Sequence, residues 1–161
     1  MDGVQLRLKL MLNALDIPSD ISSLENRILI QKSIFIAQEA GANLGYTYNW
    51  YVHGPYSPEL TQDYYILNND LLCGDTSFNK YALTSSLTVN IEEIKKVFEV
   101  PENVKLSKEK WLELVASILY WMKETHSQES TKKLLGVFKK ESMGSYPAAL
   151  AKIKNSGLFS V

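Results

Sequence analysis

The chain predicts a mainly α-helical fold carrying one small β-hairpin, and three observations point there. Apolar residues recur at three- and four-residue spacing through most of the 161 positions. Serines, asparagines, prolines and glycines fall where helices start and stop. Strand-like patterning is confined to two short stretches, residues 46–52 and 73–89.

Taken in order, residues 4–16 (VQLRLKLMLNALD) combine an alternating start with helical spacing of Leu8, Met11, Leu12 and Leu15. Leucine, methionine and alanine dominate, so helix is expected, ending at Ile17-Pro18. A second helix follows Ser22 or Ser23 as N-cap, with Glu25 in its first turn and Gly41 as a left-handed stop. Its apolar residues wrap most of the surface, which predicts the most buried helix of the fold. Residues 46–52 (YTYNWYV) read as a short strand or extended segment. Gly54-Pro55 predicts a turn, and Ser57-Pro58-Glu59-Leu60 a helix start with serine at N-cap and proline at N1. Residues 73–89 (CGDTSFNKYALTSSLTV) are expected to form the hairpin, with residues 81–84 as the return strand. Three helices followed by a hairpin outline a winged helix.

The second half is helical by the same signals. Asn90 with Glu93 forms an N-cap pair before IEEIKKVFEV, and Ser107 stands before the strongest amphipathic stripe, Trp111, Leu114, Val115, Ile118, Leu119 and Met122. Two more helices follow, the last stopped at Gly157. The predicted organisation is a winged-helix-like region over residues 1–88 and a helical extension over 89–161 packed on it, with the seam between Thr84 and Asn90.

Composition bounds the function. A formal net charge of −1 gives no electrostatic signature for nucleic acid or an acidic membrane surface. The charge is unevenly spread, however. Residues 1–90 carry five Lys/Arg against nine Asp/Glu, and residues 91–161 twelve lysines against nine acids, so a polyanion would meet the second half first. The single cysteine, Cys73, excludes an intrachain disulfide and a four-thiolate metal site. The start Met-Asp-Gly-Val has no basic leader, and no apolar run approaches the roughly 18 residues of a membrane span, so a cytoplasmic protein is expected.

Few residues carry chemistry. His53 and His126, the two histidines, have no His or Cys at i+3 or i+4, which argues against a metal site. Ser57 lies four residues from His53, a spacing that could set a hydroxyl against an imidazole, but its N-cap role already accounts for it and no G-x-S-x-G elbow surrounds it. Cys73 lacks a basic neighbour to activate it. No glycine loop of phosphate-binding type is present, and no cofactor is expected. Two features could bind partners. The aromatic group Tyr46, Tyr48, Trp50, Tyr51 and Tyr56, with His53, could form a protein-binding surface or stack on bases. Lys132-Lys133 and Lys139-Lys140, seven apart and therefore expected on one helix face, could contact phosphates or simply face solvent.

The stretch from Gln31 to Leu67 (QKSIFIAQEAGANLGYTYNWYVHGPYSPELTQDYYIL), followed by KYALT at 80–84, resembles the YwgA-like group of small bacterial proteins. More remotely it resembles the Panacea domain of SocA-like antitoxins. The likeness rests on Gln31-Lys32 and on Gly54-Pro55-Tyr56-Ser57 with Leu60, and it covers roughly residues 24–84. The chain departs from the pattern at residues 26–30 (NRILI), where basic residues often stand. The resemblance implies a winged-helix-like fold and a non-enzymatic role in toxin–antitoxin or phage-defence systems, with a neighbouring-gene toxin or effector, or self-association, as the interaction. The alternative is a nucleic-acid-binding regulator that uses the C-terminal lysines.

Overall fold

Two helices are buried on every side, and the rest of the chain is arranged around them. In this computed structural model, which describes residues 1–161, helix α2 (Leu24–Glu39) is buried continuously over residues 28–37. Residues 111–119 of the helix Lys108–Thr125 are buried likewise. A helix without a solvent face has to sit at the centre, and these two pack chiefly against each other.

The other helices cover this pair. Helix α1 (Gly3–Ala14) is capped by the Asp2 carboxylate, which accepts from the Val4 and Gln5 amides. It packs on α3 (Pro58–Leu72), whose N-cap is Ser57 and whose buried stripe is Leu60, Tyr64 and Leu67. After a single turn, α4 (Ser85–Thr88), come α5 (Ile91–Phe98), the central α6 (Lys108–Thr125), α7 (Gln128–Phe138) and α8 (Tyr146–Ser156). Gly157 ends α8 in the left-handed conformation expected of it. Helix α8 lies on α5 and α6, and the Trp111 indole N–H donates to the Val97 carbonyl at 2.9 Å, tying α6 to the end of α5. One continuous core of 33 buried residues draws on both sides of the Thr84–Asn90 seam.

The fold is mainly α with one small antiparallel hairpin, as expected, but the hairpin lies elsewhere in the chain. Strands β1 (Asn49–Tyr51) and β2 (Gly54–Tyr56) pair Asn49 with Tyr56, Trp50 with Pro55 and Tyr51 with Gly54. The hairpin therefore falls between α2 and α3. Val52-His53 forms the turn, while Gly54-Pro55 opens the return strand. Residues 73–89 contain no strand: Ser77–Lys80 is a 3-10 turn and Ser85–Thr88 a helical one. The Asp75 carboxylate accepts from the Ser77 amide at 2.8 Å, a local bond that starts a turn in place of a ladder.

Two expected caps also differ. Asn90 adopts a left-handed backbone (φ 65°) and its side chain makes no cap hydrogen bond to α5, while Glu93 pairs with Lys96 instead. Ser107 precedes α6, but its hydroxyl donates to the Glu109 carboxylate at 2.6 Å rather than capping an amide. Helix α6 shows no simple stripe over residues 111–119, because neighbours cover it all round; α5, with Ile91, Ile94, Val97 and Phe98 inward, is the clearer amphipathic helix.

Because the core is shared, Ile34→Ala in α2 and Ile118→Ala in α6 should each cost about 2–5 kcal/mol in urea unfolding. Both sites are fully buried. Tryptophan fluorescence and far-UV dichroism should report one coincident transition in each variant; separate transitions for the two halves would contradict a common core.

Candidate functional site

The hairpin is held in place by side chains of α2 acting as substitutes for a missing strand. Gln31 donates from Nε2 to the Ser57 carbonyl at 3.0 Å and accepts from the Ser57 amide through Oε1 at 2.9 Å. Two helical turns later Gln38 makes the same pair of bonds with Tyr46, donating to its carbonyl at 3.0 Å and accepting from its amide at 2.8 Å. Each glutamine amide thus presents one donor and one acceptor to a backbone that has no ladder partner there. Between these clamps the buried Lys32 donates to the Pro55 carbonyl at 2.6 Å.

From the opposite side the hairpin meets α6 and the end of α7. Lys139, only 6 % exposed, donates to the Val52 carbonyl at 3.1 Å and to Glu113 Oε2 at 3.1 Å. Its ammonium also lies 5.6 Å from the Trp50 ring centroid. His53 Nδ1 stands 3.3 Å from Glu113 Oε1, an ion-pair distance without hydrogen-bond alignment, so Oε1 receives no hydrogen bond. Gly54 has φ +87°, and a Cβ there would fall 2.7 Å from Ser117 Oγ. Glycine is needed both for the backbone angle and for the close approach to α6.

The aromatic residues divide by face. Trp50 points to α6 and α7, with ring centroids 5.0 Å from Trp121 and 5.5 Å from Phe138. Tyr48 packs edge-on to Phe35 of α2 at 4.9 Å, and the Tyr46 hydroxyl donates to Asp63 of α3 at 2.8 Å. Tyr51 and Tyr56 form an edge-on pair at 5.0 Å on the other face, and Tyr51 is half exposed. This outer pair adjoins a pocket of about 220 Å³ between α2, the hairpin and α3, walled by Leu24, Ile28, Tyr56 and Tyr65 and reached by Arg27, Lys32 and His53.

Ser57 is fully buried, donates to Glu59 Oε2 at 3.0 Å and accepts from the Leu60 amide at 3.3 Å. It makes no hydrogen bond to His53. The four C-terminal lysines do not share a face. Helix α7 stops at Phe138, so the seven-residue spacing no longer carries Lys139 round to the side of Lys132; Lys139 turns under the hairpin to Glu113. Lys132, Lys133 and Lys140 are exposed, and Lys133 pairs with Glu129 at 3.2 Å. No three His, Cys, Asp or Glu side chains converge as a metal site would require.

Sequence reasoning missed Glu113, Gln38 and Arg27. Glu113 stands between Leu112 and Leu114 in an apolar run, the one signal that a buried cation would need it. Gln38 repeats Gln31 at seven residues on α2.

Burial holds Lys32 far below an ordinary lysine, down to about 7; the Glu113 carboxylate opposes this shift and Lys139 adds to it. The unfolded chain, with lysine near 10.5, therefore binds more protons above pH 7, and this group makes stability rise with pH there. Relative to Lys32→Met, wild-type stability should climb between about pH 7 and pH 9, read from urea midpoints. Parallel curves would mean that Lys32 keeps an ordinary proton affinity in the fold. Gly54→Ala should destabilise by about 2–4 kcal/mol, from the positive φ together with the contact on Ser117. Thermal unfolding indistinguishable from wild type would show that the hairpin can lift off α6 freely.

No family model, no curated protein and no solved structure matches the chain.

Proposed function

We propose that the chain is a non-catalytic, cytoplasmic protein-binding module of the antitoxin or phage-defence type, docking onto the product of a neighbouring gene through the outer face of the hairpin and α3. The carrying observation is how the polar and apolar groups of this corner are used. Ser57, Gln31 and Thr61 spend their hydrogen bonds on holding the backbone and one another. Beside them, Leu24 and Tyr65 leave 47 and 52 % of their surface exposed at the pocket, while Tyr51, edge-on to the pocket's Tyr56, and Val52 at the hairpin turn are 50 and 84 % exposed. Exposed aromatic and aliphatic side chains grouped at a concavity are what protein interfaces use as anchors. The resemblance of Gln31-Lys32 and Gly54–Ser57 to YwgA-like and Panacea-type chains supports the kind of partner. No helix of the fold is long and apolar enough to cross a membrane.

The nucleic-acid alternative is weakened, since Lys139 is an internal ion-pair partner and Lys133 is engaged by Glu129.

Co-expressed with its neighbouring gene product, the chain should co-elute as a stable complex. Tyr51→Ala and Tyr65→Ala should each weaken that complex at least tenfold without lowering the unfolding temperature, about 1.4 kcal/mol or more per anchor. Lys132→Glu with Lys140→Glu should leave it unchanged. If binding responds to the lysines and not to the tyrosines, or a short DNA duplex binds with steep salt dependence, the docking face is wrongly assigned.

A further inference from the structure

We propose that the pocket between α2, the hairpin and α3 is a binding site for a carboxylate carried on a small apolar group. This goes beyond the docking reading and does not depend on it.

The first ground is a charge imbalance. Two lysines, Lys32 and Lys139, are buried within the same corner, and Glu113 is the one buried carboxylate beside them. Lys139 holds that carboxylate at 3.1 Å. Lys32 donates only to a neutral carbonyl, that of Pro55. A buried ammonium without a counter-ion is costly, and an anion arriving next to it recovers part of that cost. The lowered proton affinity of Lys32 reports the same deficit from the protein's side.

The second ground is which donors remain unspent. Gln31 has both ends of its amide bound to Ser57. The Thr61 hydroxyl accepts from Gln31 and has its one proton to share between the Tyr56 hydroxyl at 2.7 Å and the Ser57 carbonyl at 3.2 Å. The cations are less committed: Arg27 gives one N–H, from Nη1, to the Ile21 carbonyl at 2.8 Å, and Lys32 gives one to Pro55. An ammonium has three donors and a guanidinium five. The charged donors of Arg27 and Lys32 thus remain free beside the neutral hydroxyls of Tyr56, Tyr64 and Tyr65, and the charge-assisted bonds they offer favour an anion over a neutral ligand. No Asp or Glu lines it.

The third ground is shape. Leu24, Ile28, Tyr56 and Tyr65 make the walls apolar, and the volume of about 220 Å³ lies below the roughly 300–1,000 Å³ of drug-sized sites. That suits one ring or branched alkyl group. A single carboxylate with two oxygens matches the Lys32 and Arg27 donors more closely than a multiply charged phosphate, which would leave oxygens against apolar walls. Such a carboxylate comes either from a free small acid or from the apolar C-terminal residue of a peptide.

Binding should be pH-dependent, because the anion pairs with protonated Lys32. The groups facing Lys32 are Arg27 on its own helix, Glu113 of α6, Lys139 after α7, His53 and Tyr56 of the hairpin, and Tyr64 and Tyr65 of α3.

The test titrates the purified chain, without any partner, with phenylacetate and phenylacetamide, and with Gly-Gly-Gly-Phe bearing a free or an amidated terminus. Binding is followed by calorimetry and by amide chemical shifts. At about pH 6 at least one acid should bind tenfold or more tighter than its amide, with shifts at residues 24–32 and 53–65. That preference should shrink at least tenfold by about pH 9. Tighter binding of phenylacetate would assign the site to free acids, and tighter binding of the peptide acid to chain ends. Arg27→Gln should weaken the preferred acid at least fivefold. Lys32→Met, if folded, should abolish the pH dependence, whereas His53→Gln should retain it. Equal binding of acid and amide, or no saturation by either acid up to about 10 mM, would overturn the proposal. Because no partner is present, that failure would leave the docking reading untouched.

Discussion

The corner of this molecule depends on a backbone being paired by side chains. Residues 46–57 leave α2 and return to α3 with only three residues in each strand, too few to satisfy their own amides and carbonyls by sheet pairing. Gln38 binds both polar groups of Tyr46 at the start of the segment, and Gln31 binds both polar groups of Ser57 at its end. Each pair replaces what a neighbouring strand would supply, and each is worth roughly 1 kcal/mol per bond, more when the alternative is a buried unpaired group. Remove either glutamine and the segment loses one of its two fixed ends.

Two ammonium groups then place the hairpin in the third dimension. Lys32 reaches the Pro55 carbonyl from α2, and Lys139 reaches the Val52 carbonyl from beyond α7. Between them Gly54 sits against α6, close enough that a Cβ would press on the Ser117 hydroxyl. The arrangement explains why a buried carboxylate, Glu113, stands in one of the two central buried helices: without it two cations would be enclosed in one corner with nothing to balance them. With it, one remains in deficit. A folded state that tolerates such a deficit gives up stability for charge at a defined place.

The inward and outward faces of the aromatic segment follow from this fixing. Trp50 is directed to Trp121 and Phe138 because its strand is held flat on α6, and Tyr51 and Tyr56 are left outside by strand alternation. Tyr56 thereby becomes a wall of the pocket, with Tyr51 packed edge-on behind it. A dense aromatic sequence has been divided into a structural half and an exposed half by the same few hydrogen bonds.

The sequence by itself determined the longer helices, the burial of α2, the Ser57-Pro58 start of α3 and the glycine stop of α8, because these rest on local spacing and capping within a few residues. It also singled out Gln31-Lys32 and Gly54–Ser57 as separate motifs. Only the tertiary structure showed that the two motifs are the halves of one contact, since their bonds join residues 23 and 26 positions apart. It likewise moved the hairpin from residues 73–89 to residues 49–56, where supporting side chains exist, and took Lys139 out of a presumed solvent face into an ion pair with Glu113. The support of the hairpin and the balance of buried charge are settled by partners distant in the chain. Local spacing carries no record of those partners, and the fold supplies them.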